Sequence, residues 1–409
     1  MGEPFATFVI HLHNSQPCDT VRAMTRIRST PPSHPVALYV HVPFCRSRCA
    51  YCDFDTYTGL EFAMPAYTDA VCREIEAAGE RWGSPPVSTI YFGGGTPSLL
   101  PLPLLRDILH AAQAAFRLSP AAEISLEANP GTLTSAYLHD LRNLGVQRLS
   151  LGIQSFHDAE LELLGRLHTQ AQARAAVAAA RESGFRNLNL DLIYGLPRQK
   201  LCHWQETLRT ATALEPEHLS LYGLAIEEET PLARQIAAGA LPAPDPDRAA
   251  DMYEWAAETL AQAGYRHYEI SNWARSGQEC RHNLTYWRNE PWLGVGAGAH
   301  SWLDHCRWAN LTDPLAYIQA TAEGRTPIIE TTPVGPEQEM GDTMMLGLRL
   351  AEGVATDRFR ARFGLALETV YGETLRHLQD LDLLTWDGQA ARLTPRGRLL
   401  GNQVFVHFV

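Results

Sequence analysis

The chain has 409 residues, of which 45% are hydrophobic and 20% are charged, and its formal net charge is -12. This length exceeds what one compact core usually holds, so we expect about two or three domains. The acidic balance argues against a nucleic-acid partner, and eight cysteines are too few for a disulfide scaffold in a chain of this length.

Residues 1–36 precede the first regular pattern and are predicted to form an N-terminal tail. The segment FATFVIHLHN (5–14) is too short, and too interrupted by His and Asn, for a secretory signal. No apolar run reaches the roughly 18 residues that a membrane-spanning helix needs. We therefore expect a cytoplasmic protein, and leave open a peripheral contact with the inner face of the membrane.

From residue 37 to residue 230, short apolar strands alternate with amphipathic helices. This alternation predicts an α/β fold in which helical crossovers connect the strands of a parallel sheet. Six such units favour a partial (β/α)6 barrel, although a doubly wound open sheet has the same pattern. Strands are predicted at 37–44, 87–92, 123–128, 148–153, 187–194 and 218–224, and helices at 65–82, 101–116, 134–144, 168–183 and 201–214.

Unusual residues follow the ends of these strands. Because the C-terminal ends of parallel strands meet at one edge of a sheet, we expect these residues to converge in space. The sequence therefore predicts a site at this edge. The strand-end segments are PFCRSRCAYCDF (43–54), GGGT (93–96), EANP (127–130), QSF (154–156), and Asp191 followed by YGLP (194–197).

The pattern changes after residue 230. Residues 231–333 contain a Pro-rich stretch, a helix near 249–263 and an aromatic, His-rich region, and are predicted to be an α+β extension of the barrel. Residues 334–409 are predicted to be a small winged-helix-like domain, which in an acidic chain we interpret as a structural or interaction module. Its predicted elements are helices at 337–350, 355–362 and 367–381, and a hairpin around Asp387-Gly388.

Three cysteines stand close together after the first strand, in the pattern Cys45-x3-Cys49-x2-Cys52. A structural zinc site usually has four closed ligands, and no second pair of thiols is present to complete one. His41 lies just upstream on the strand and is expected to face elsewhere. Three thiolates on a [4Fe–4S] cube leave one iron open for a substrate or cofactor. The spacing favours such a cluster over zinc or three unrelated thiols.

With Tyr51 inside the motif and a barrel-like strand before it, this spacing resembles that of the radical S-adenosylmethionine (SAM) superfamily. The resemblance implies that the open iron chelates the amino and carboxylate groups of SAM. It also implies an electron donor, because electron transfer from the cluster cleaves SAM to a 5′-deoxyadenosyl radical. The similarity extends from about residue 36 to the C-terminus, and is greatest to the oxygen-independent coproporphyrinogen III oxidases and the related HemW-type haem chaperones.

The same resemblance assigns SAM contacts to residues near other strand ends. A glycine turn allows the backbone to approach a ligand closely, and an acidic residue at a strand end suits ribose hydroxyls. Arg166 alone would be interpreted as a surface charge, whereas Asp191 in an apolar strand needs a partner. The segment LGVGAGAHSW (293–302) is expected to close one side of the pocket. The implied SAM contacts are Tyr39, Tyr51, Gly94, Gly95, Thr96, Glu127, Gln154, Arg166 and Asp191.

The aromatic stretch 265–287 includes His282-Asn283-Leu284-Thr285-Tyr286. On composition alone we favour an ordinary packing region, because a lone histidine is weak evidence of a site. The pattern is, however, similar to the HNxxY motif associated with haem binding in HemW-type proteins. Either His282 or Tyr286 can serve as an axial haem ligand, and the sequence leaves the choice open.

Two departures from the oxidase group bear on function. The oxidases have a further cysteine in Cys-x2-Cys-x-Cys, where this chain has Phe54. They also use an N-terminal extension that reaches over the substrate, whereas residues 1–36 of this chain show no evident order. His282 and Tyr286 point in the same direction as these departures. The resemblance therefore implies a haem chaperone that keeps the cluster and SAM and delivers haem to haem-requiring proteins; a homodimer is left open. The alternative is an oxygen-independent coproporphyrinogen III oxidase, which decarboxylates propionate side chains. A radical SAM enzyme for an unrelated substrate stays open as well.

Overall fold

The computed structural model of the protein describes residues 35–409, so the predicted tail at 1–36 lies almost wholly outside the described residues. Strands and helices alternate through the first part of the described chain, as predicted. Their bounds are β1 (Val36–Val42), α1 (Met64–Trp82), β2 (Pro86–Gly94), α2 (Leu102–Ala115), β3 (Arg117–Ala128), α3 (Ser135–Asn143), β4 (Arg148–Gln154), α4 (Asp158–Leu163), α5 (Gln170–Glu182), β5 (Asn187–Tyr194), α6 (Leu201–Ala213) and β6 (His218–Gly223).

Local signals set the ends of these helices. α1 ends at Gly83, whose φ of 67° lies in the left-handed region that glycine adopts without steric cost. α5 begins with a capping box, in which the side chains of Thr169 and Gln172 bond to each other's backbone N–H groups. The short helix α4 was not predicted, because six residues hold too few turns to show a helical period.

The six parallel strands pair in sequence order, β1-β2-β3-β4-β5-β6. A doubly wound sheet reverses its strand order at a switch point, so the sequential order decides in favour of the barrel. At the two edges, β1 also pairs with a later strand, β9 (Trp292–Val295), and β6 pairs with β8 (Asn272–Ala274). The barrel is therefore partial, as predicted, and lies within one twelve-stranded sheet.

Residues 231–333 extend both edges of this barrel. Their strands are only three to six residues long, so the sequence shows little alternation, and pairing with the barrel stabilises them. The elements are α7 (Pro231–Ala237), α8 (Pro246–Gln262), β7 (Arg266–Glu269), β8, α9 (Arg281–Trp287), β9, β10 (His300–Leu303), β11 (Cys306–Asn310), α10 (Pro314–Ala322) and β12 (Ile328–Pro333).

The C-terminal region has an apolar core of its own, which includes Met344, Phe359 and Leu375. The predicted helices and hairpin are present, and a short strand pairs with the hairpin. No helix within residues 35–409 is long and apolar enough to cross a membrane. The elements are α11 (Pro336–Gly347), β13 (Val354–Ala355), α12 (Thr356–Phe363), α13 (Leu367–Asp380), β14 (Leu384–Trp386), β15 (Ala390–Leu393), α14 (Pro395–Leu399) and α15 (Gly401–Phe405).

Candidate cofactor cavity

A cavity of about 490 Å³ occupies the interior of the partial barrel and opens at the C-terminal ends of its strands. This volume falls in the range of roughly 300–1,000 Å³ that is usual for ligand sites. The alternation of β4 explains its polar lining. Leu149, Leu151 and Ile153 belong to the apolar core, whereas Arg148, Ser150, Gly152 and Gln154 face the cavity.

Most residues implied by the sequence meet in this one cavity. They come from loops and strands that are distant in the chain, which agrees with the expected convergence at the sheet edge. Phe54, at the position where the oxidases have a cysteine, also lines the cavity. The lining includes Cys45, Cys49, Cys52, Tyr51, Gly94, Gly95, Thr96, Glu127, Gln154, Arg166, Asp191 and Tyr286.

The three thiols suit an iron–sulfur cluster better than a single metal ion. Within residues 35–409, no three His, Cys, Asp or Glu side chains come close enough together to ligate one ion. Burial raises the pKa of Cys45, and it raises the pKa of Cys52 to about 11, so a bound cluster would have to stabilise both thiolates. Arg166 already donates from Nη1 to Cys49 Sγ over 3.3 Å, which places a cation beside one thiol.

His41 is held away from this cavity, as expected. Its Nε2 lies 3.0 Å from the Asp55 carbonyl oxygen, and its Nδ1 lies 3.0 Å from the Tyr39 hydroxyl. Neither His41 nor Tyr39 is among the lining residues. Tyr39 instead stacks on Tyr91, which does line the cavity, so the implied SAM contact of Tyr39 would be indirect in this structure.

The glycine turn after β2 is packed against the start of the cysteine loop. Gly94 has a φ of 109°, which side chains rarely tolerate. Gly95 donates its N–H to the Val42 carbonyl over 2.8 Å, and a Cβ on Gly95 would lie 2.8 Å from the Phe44 carbonyl oxygen. The absence of a side chain therefore allows two backbones to touch beside the thiols.

Replacing Gly95 with alanine is expected to weaken SAM binding by on the order of tenfold, because the new methyl group would push the cysteine loop away from the turn. The matched control is Gly131→Ala, since a Cβ there would meet nothing within 4 Å. Anaerobic calorimetric titration of the reconstituted protein with SAM measures the effect. Equal affinities in the two variants would contradict the proposed role of the turn.

Two partly buried carboxyl groups face the cavity with part of their hydrogen-bonding capacity already used. Glu127 accepts from the Tyr91 hydroxyl over 2.8 Å and from Gly94 N over 3.3 Å, and burial raises the pKa of Glu127 to about 7. Asp191 accepts from Ser150 and Asn189, which supply the partners that its apolar strand requires. Burial raises the pKa of Asp191 above its ordinary value. Both groups can accept further hydrogen bonds from a ligand's hydroxyl groups.

Arg166 and Gln154 complete the cysteine end of the cavity. Arg166 is a positioned donor rather than a surface charge, since its Nη2 donates to the Gly152 carbonyl over 2.8 Å and also to Asn129. Gln154 has a left-handed backbone with φ of 67°, and its Oε1 is buried without a partner among the described residues. A buried amide oxygen of this kind calls for a ligand donor.

The two candidate haem ligands occupy different positions. His282 is only 1% exposed and does not line the cavity. Its Nδ1 lies 2.8 Å from Thr89 Oγ1, and its Nε2 lies 2.9 Å from the Tyr286 hydroxyl. Burial lowers the pKa of His282 to about 3, which keeps the ring neutral at neutral pH. Tyr286 faces the cavity, and His282 lies behind it.

The segment 293–302 does not close the pocket, contrary to expectation. Its strand β9 pairs with β1 on the side away from β2, which places the segment outside the cavity lining. Gly296 donates its N–H to partly buried Glu74 over 2.8 Å, and a Cβ on Gly298 would lie 2.7 Å from Asp55 Oδ2. The small residues of this segment therefore serve close packing behind β1.

Sequence analysis missed several residues at the other end of the cavity. Arg148 lies at the start of β4, and Glu269 lies at the end of β7. Arg349 and Asn402 reach the cavity from the C-terminal region. Burial raises the pKa of Glu269 to about 7 and lowers the pKa of Arg349 to about 10. The sequence feature that could have identified Arg148 and Arg349 is a charged residue within an apolar run, as in RLSLGI (148–153) and MMLGLRL (344–350).

Comparisons with known proteins agree with this architecture. The sequence model of the Radical SAM superfamily matches residues 39–211, and that of the HemN C-terminal domain matches residues 334–400. The chain is 37% identical over 372 residues to the heme chaperone HemW of Bacillus subtilis, covering 91% of this chain and 98% of that relative. It is 42% identical over 328 residues to the heme chaperone HemW of Synechocystis sp., covering 78% of this chain and 79% of that relative.

A solved structure shares the whole fold. Coproporphyrinogen III oxidase (HemN) from Escherichia coli superposes with a TM-score of 0.82 at 26% identity, covering 95% of this chain and 92% of that chain. The match therefore includes both the barrel and the C-terminal region. This chain and the oxidase thus have a common scaffold, and a shared fold does not by itself fix a shared function.

Proposed function

The chain belongs to the HemW family of the radical SAM superfamily, and on this premise we propose that it is a haem chaperone. It binds haem and delivers it to haem-requiring proteins, and it keeps a [4Fe–4S] cluster and SAM. A one-electron donor protein would reduce the cluster. A homodimer and a peripheral membrane contact are further proposals, which gel filtration and vesicle flotation test.

One observation carries this proposal: Tyr286 of the HNxxY segment lines the same cavity as the three cluster thiols. A haem held by this segment would therefore be bound next to the cluster and SAM. Phe54 supports the same conclusion, because it places an apolar ring where the oxidases have a fourth nearby thiol. An apolar wall suits a planar macrocycle better than it suits additional sulfur chemistry.

The cluster would be ligated by Cys45, Cys49 and Cys52, and when bound it supplies an open iron and a single electron. The remaining SAM contacts follow from the donors and acceptors on the cavity wall. The Gly94–Thr96 turn gives a close backbone approach, and Glu127 and Asp191 would accept from ribose hydroxyls. The guanidinium of Arg166 would attract the carboxylate of SAM, and the ring of Tyr51 would pack beside the bound SAM.

For haem, we propose that the Tyr286 hydroxyl faces the iron and that His282 positions this hydroxyl from behind. The support is geometric, because Tyr286 is the member of the pair that reaches the cavity. The neutral His282 ring lies 2.9 Å from the hydroxyl and can accept its hydrogen bond.

The proposed location is the cytoplasm. The seven cysteines of the described residues are all free thiols, which suits a compartment that keeps thiols reduced.

Two assays on the anaerobically reconstituted protein test the chaperone against the oxidase. The first follows haem transfer from the loaded protein to an apo-haem protein, and we expect transfer to occur. The second supplies coproporphyrinogen III, SAM and a reductant, and we expect no product beyond a single turnover. Multiple-turnover formation of protoporphyrinogen IX, together with no haem transfer, would establish the oxidase instead.

A further inference from the structure

Arg148 is a buried cation at the inner end of the cavity. It is the first residue of β4, it is 1% exposed, and its side chain lines the cavity. Gln154 ends the same strand beside the cysteine loop. Gln154 follows Arg148 by six positions, which corresponds to roughly 20 Å of fully extended strand at 3.3 Å per residue. Arg148 therefore lies far from the thiols, although it shares their cavity.

The guanidinium of Arg148 has a buried donor without an acceptor. Its Nε is buried and has no hydrogen-bond partner among residues 35–409. A guanidinium carries five N–H donors, and burying one without hydrogen bonds is costly. Arg166, in the same cavity, also has a buried Nε without a partner, but its terminal nitrogens donate to Cys49, Asn129 and Gly152. Because Arg148 lines the cavity, a bound ligand could supply the acceptor that its Nε lacks.

The acidic groups that face Arg148 are engaged elsewhere. Glu123 accepts from the backbone N–H groups of Arg281 and His282 at the start of α9. Asp191 accepts from Ser150 and Asn189, and Glu127 accepts from Tyr91 and Gly94. These carboxylates moderate the positive charge through space, but their hydrogen bonds go to other donors. The other groups that face the guanidinium are Cys280, Tyr91, Tyr268, His218 and His282.

We propose that Arg148 binds a propionate carboxylate of the haem at the inner end of the cavity. This inference rests on the proposed function and adds an anchoring residue to it. A guanidinium fork matches a carboxylate in a bidentate geometry. Tyr286 and Trp287 line the same cavity and offer aromatic walls to the macrocycle between the iron and its propionates.

The carboxylate of SAM is a poorer match for Arg148. SAM would bind at the cysteine end, where Arg166 and the unpartnered Gln154 Oε1 are available to it. Arg166 donates to the Gly152 carbonyl, four residues along β4 from Arg148, so roughly 13 Å of strand at 3.3 Å per residue separates the positions of the two cations. We therefore assign one guanidinium to each ligand.

The test compares haem with haem dimethyl ester, in which both propionates are blocked, on the anaerobically reconstituted full-length protein. We expect wild type to bind the ester about tenfold more weakly than haem, as measured by absorbance titration. In Arg148→Gln, haem affinity should fall by about the same factor and the discrimination against the ester should disappear. Arg148→Lys should keep part of the discrimination against the ester, because the positive charge remains while the bidentate geometry of the guanidinium is lost.

A matched variant and a second ligand control for damage to the fold. Arg307 is also buried, pairs with Asp342 and lies outside the cavity lining, so Arg307→Gln should lower stability but keep the discrimination. SAM affinity should be unchanged in Arg148→Gln.

The outcomes separate this inference from the proposed function. If the wild-type protein binds haem and its dimethyl ester equally well, the proposed role of Arg148 is wrong, and this measurement alone decides it. Loss of SAM binding in Arg148→Gln, with the discrimination intact, overturns it as well. A wild-type protein that binds neither haem nor ester overturns the proposed function itself, and this inference with it.

Discussion

Cys49→Ala is expected to leave the anaerobically reconstituted protein with almost no iron, whereas wild type should hold about four irons and four sulfides per chain. Three thiols is the smallest set that holds the cube while leaving one iron open, so the loss of one leaves only two protein ligands. SAM binding should be lost together with the iron, because the open iron is its main anchor. Iron and sulfide analysis, with the visible absorption of the cluster, measures the change.

Cys202→Ala is the matched control for this variant, because Cys202 is an exposed thiol on α6, away from the cavity. It should retain the full iron content. Full iron in Cys49→Ala would contradict the ligand assignment. One zinc per chain and no sulfide in wild type would contradict the cluster itself, and would require a fourth ligand that the described residues do not bring to the three thiols.

Much of the fold could be predicted from the sequence, because its signals are local. β5 and α6 lie within one or two residues of their predicted bounds, since the apolar run of the strand and the helical period of α6 are continuous. The choice between a barrel and a doubly wound sheet was not local. It depended on strand order, which is set by the pairing of distant strands. The hydrophobic periodicity of the sequence contains no information on that pairing.

The cavity residues can likewise be divided into those that local sequence motifs predict and those that only tertiary folding brings together. The cysteine end was predicted through short motifs, whose residues lie at fixed distances along the chain. The inner end was not, because Arg148 and Arg349 come from elements about 200 residues apart and meet only through folding. The prediction that segment 293–302 closes the pocket was wrong for a related reason. Its glycines indicate that another part of the chain packs closely against it, but they do not indicate on which side of β1 the segment lies.

These two ends explain how one scaffold can serve a chaperone and an oxidase. The proposed chaperone would hold a cluster, SAM and a tetrapyrrole in one cavity, and its fold is shared with the coproporphyrinogen III oxidase. The chaperone additionally needs a group that can hold iron at the centre of the macrocycle. In the proposed site Tyr286 would be this group, because it reaches the cavity from α9.

Tyr286→Phe is expected to weaken haem binding by more than about tenfold and to remove any absorption band of a tyrosinate ligand. His282→Ala should weaken it by about 10- to 100-fold while that band remains, which is the usual effect of losing a hydrogen-bond partner of a metal ligand. The reason is positional, since Tyr286 lines the cavity, whereas His282 does not line it and contacts the Tyr286 hydroxyl. Titration with haem and visible spectroscopy measure both effects.

Tyr222→Phe is the matched control, because Tyr222 also lines the cavity and is not part of the HNxxY segment. It should leave haem affinity close to that of wild type. The reverse result, in which His282→Ala abolishes the spectrum of bound haem and Tyr286→Phe leaves it intact, would make His282 the ligand. In that case the ring, now buried between Thr89 and Tyr286, has to turn out of its two hydrogen bonds when haem binds. A rearrangement of that kind would also lower the protection of the α9 backbone against hydrogen exchange in the loaded protein.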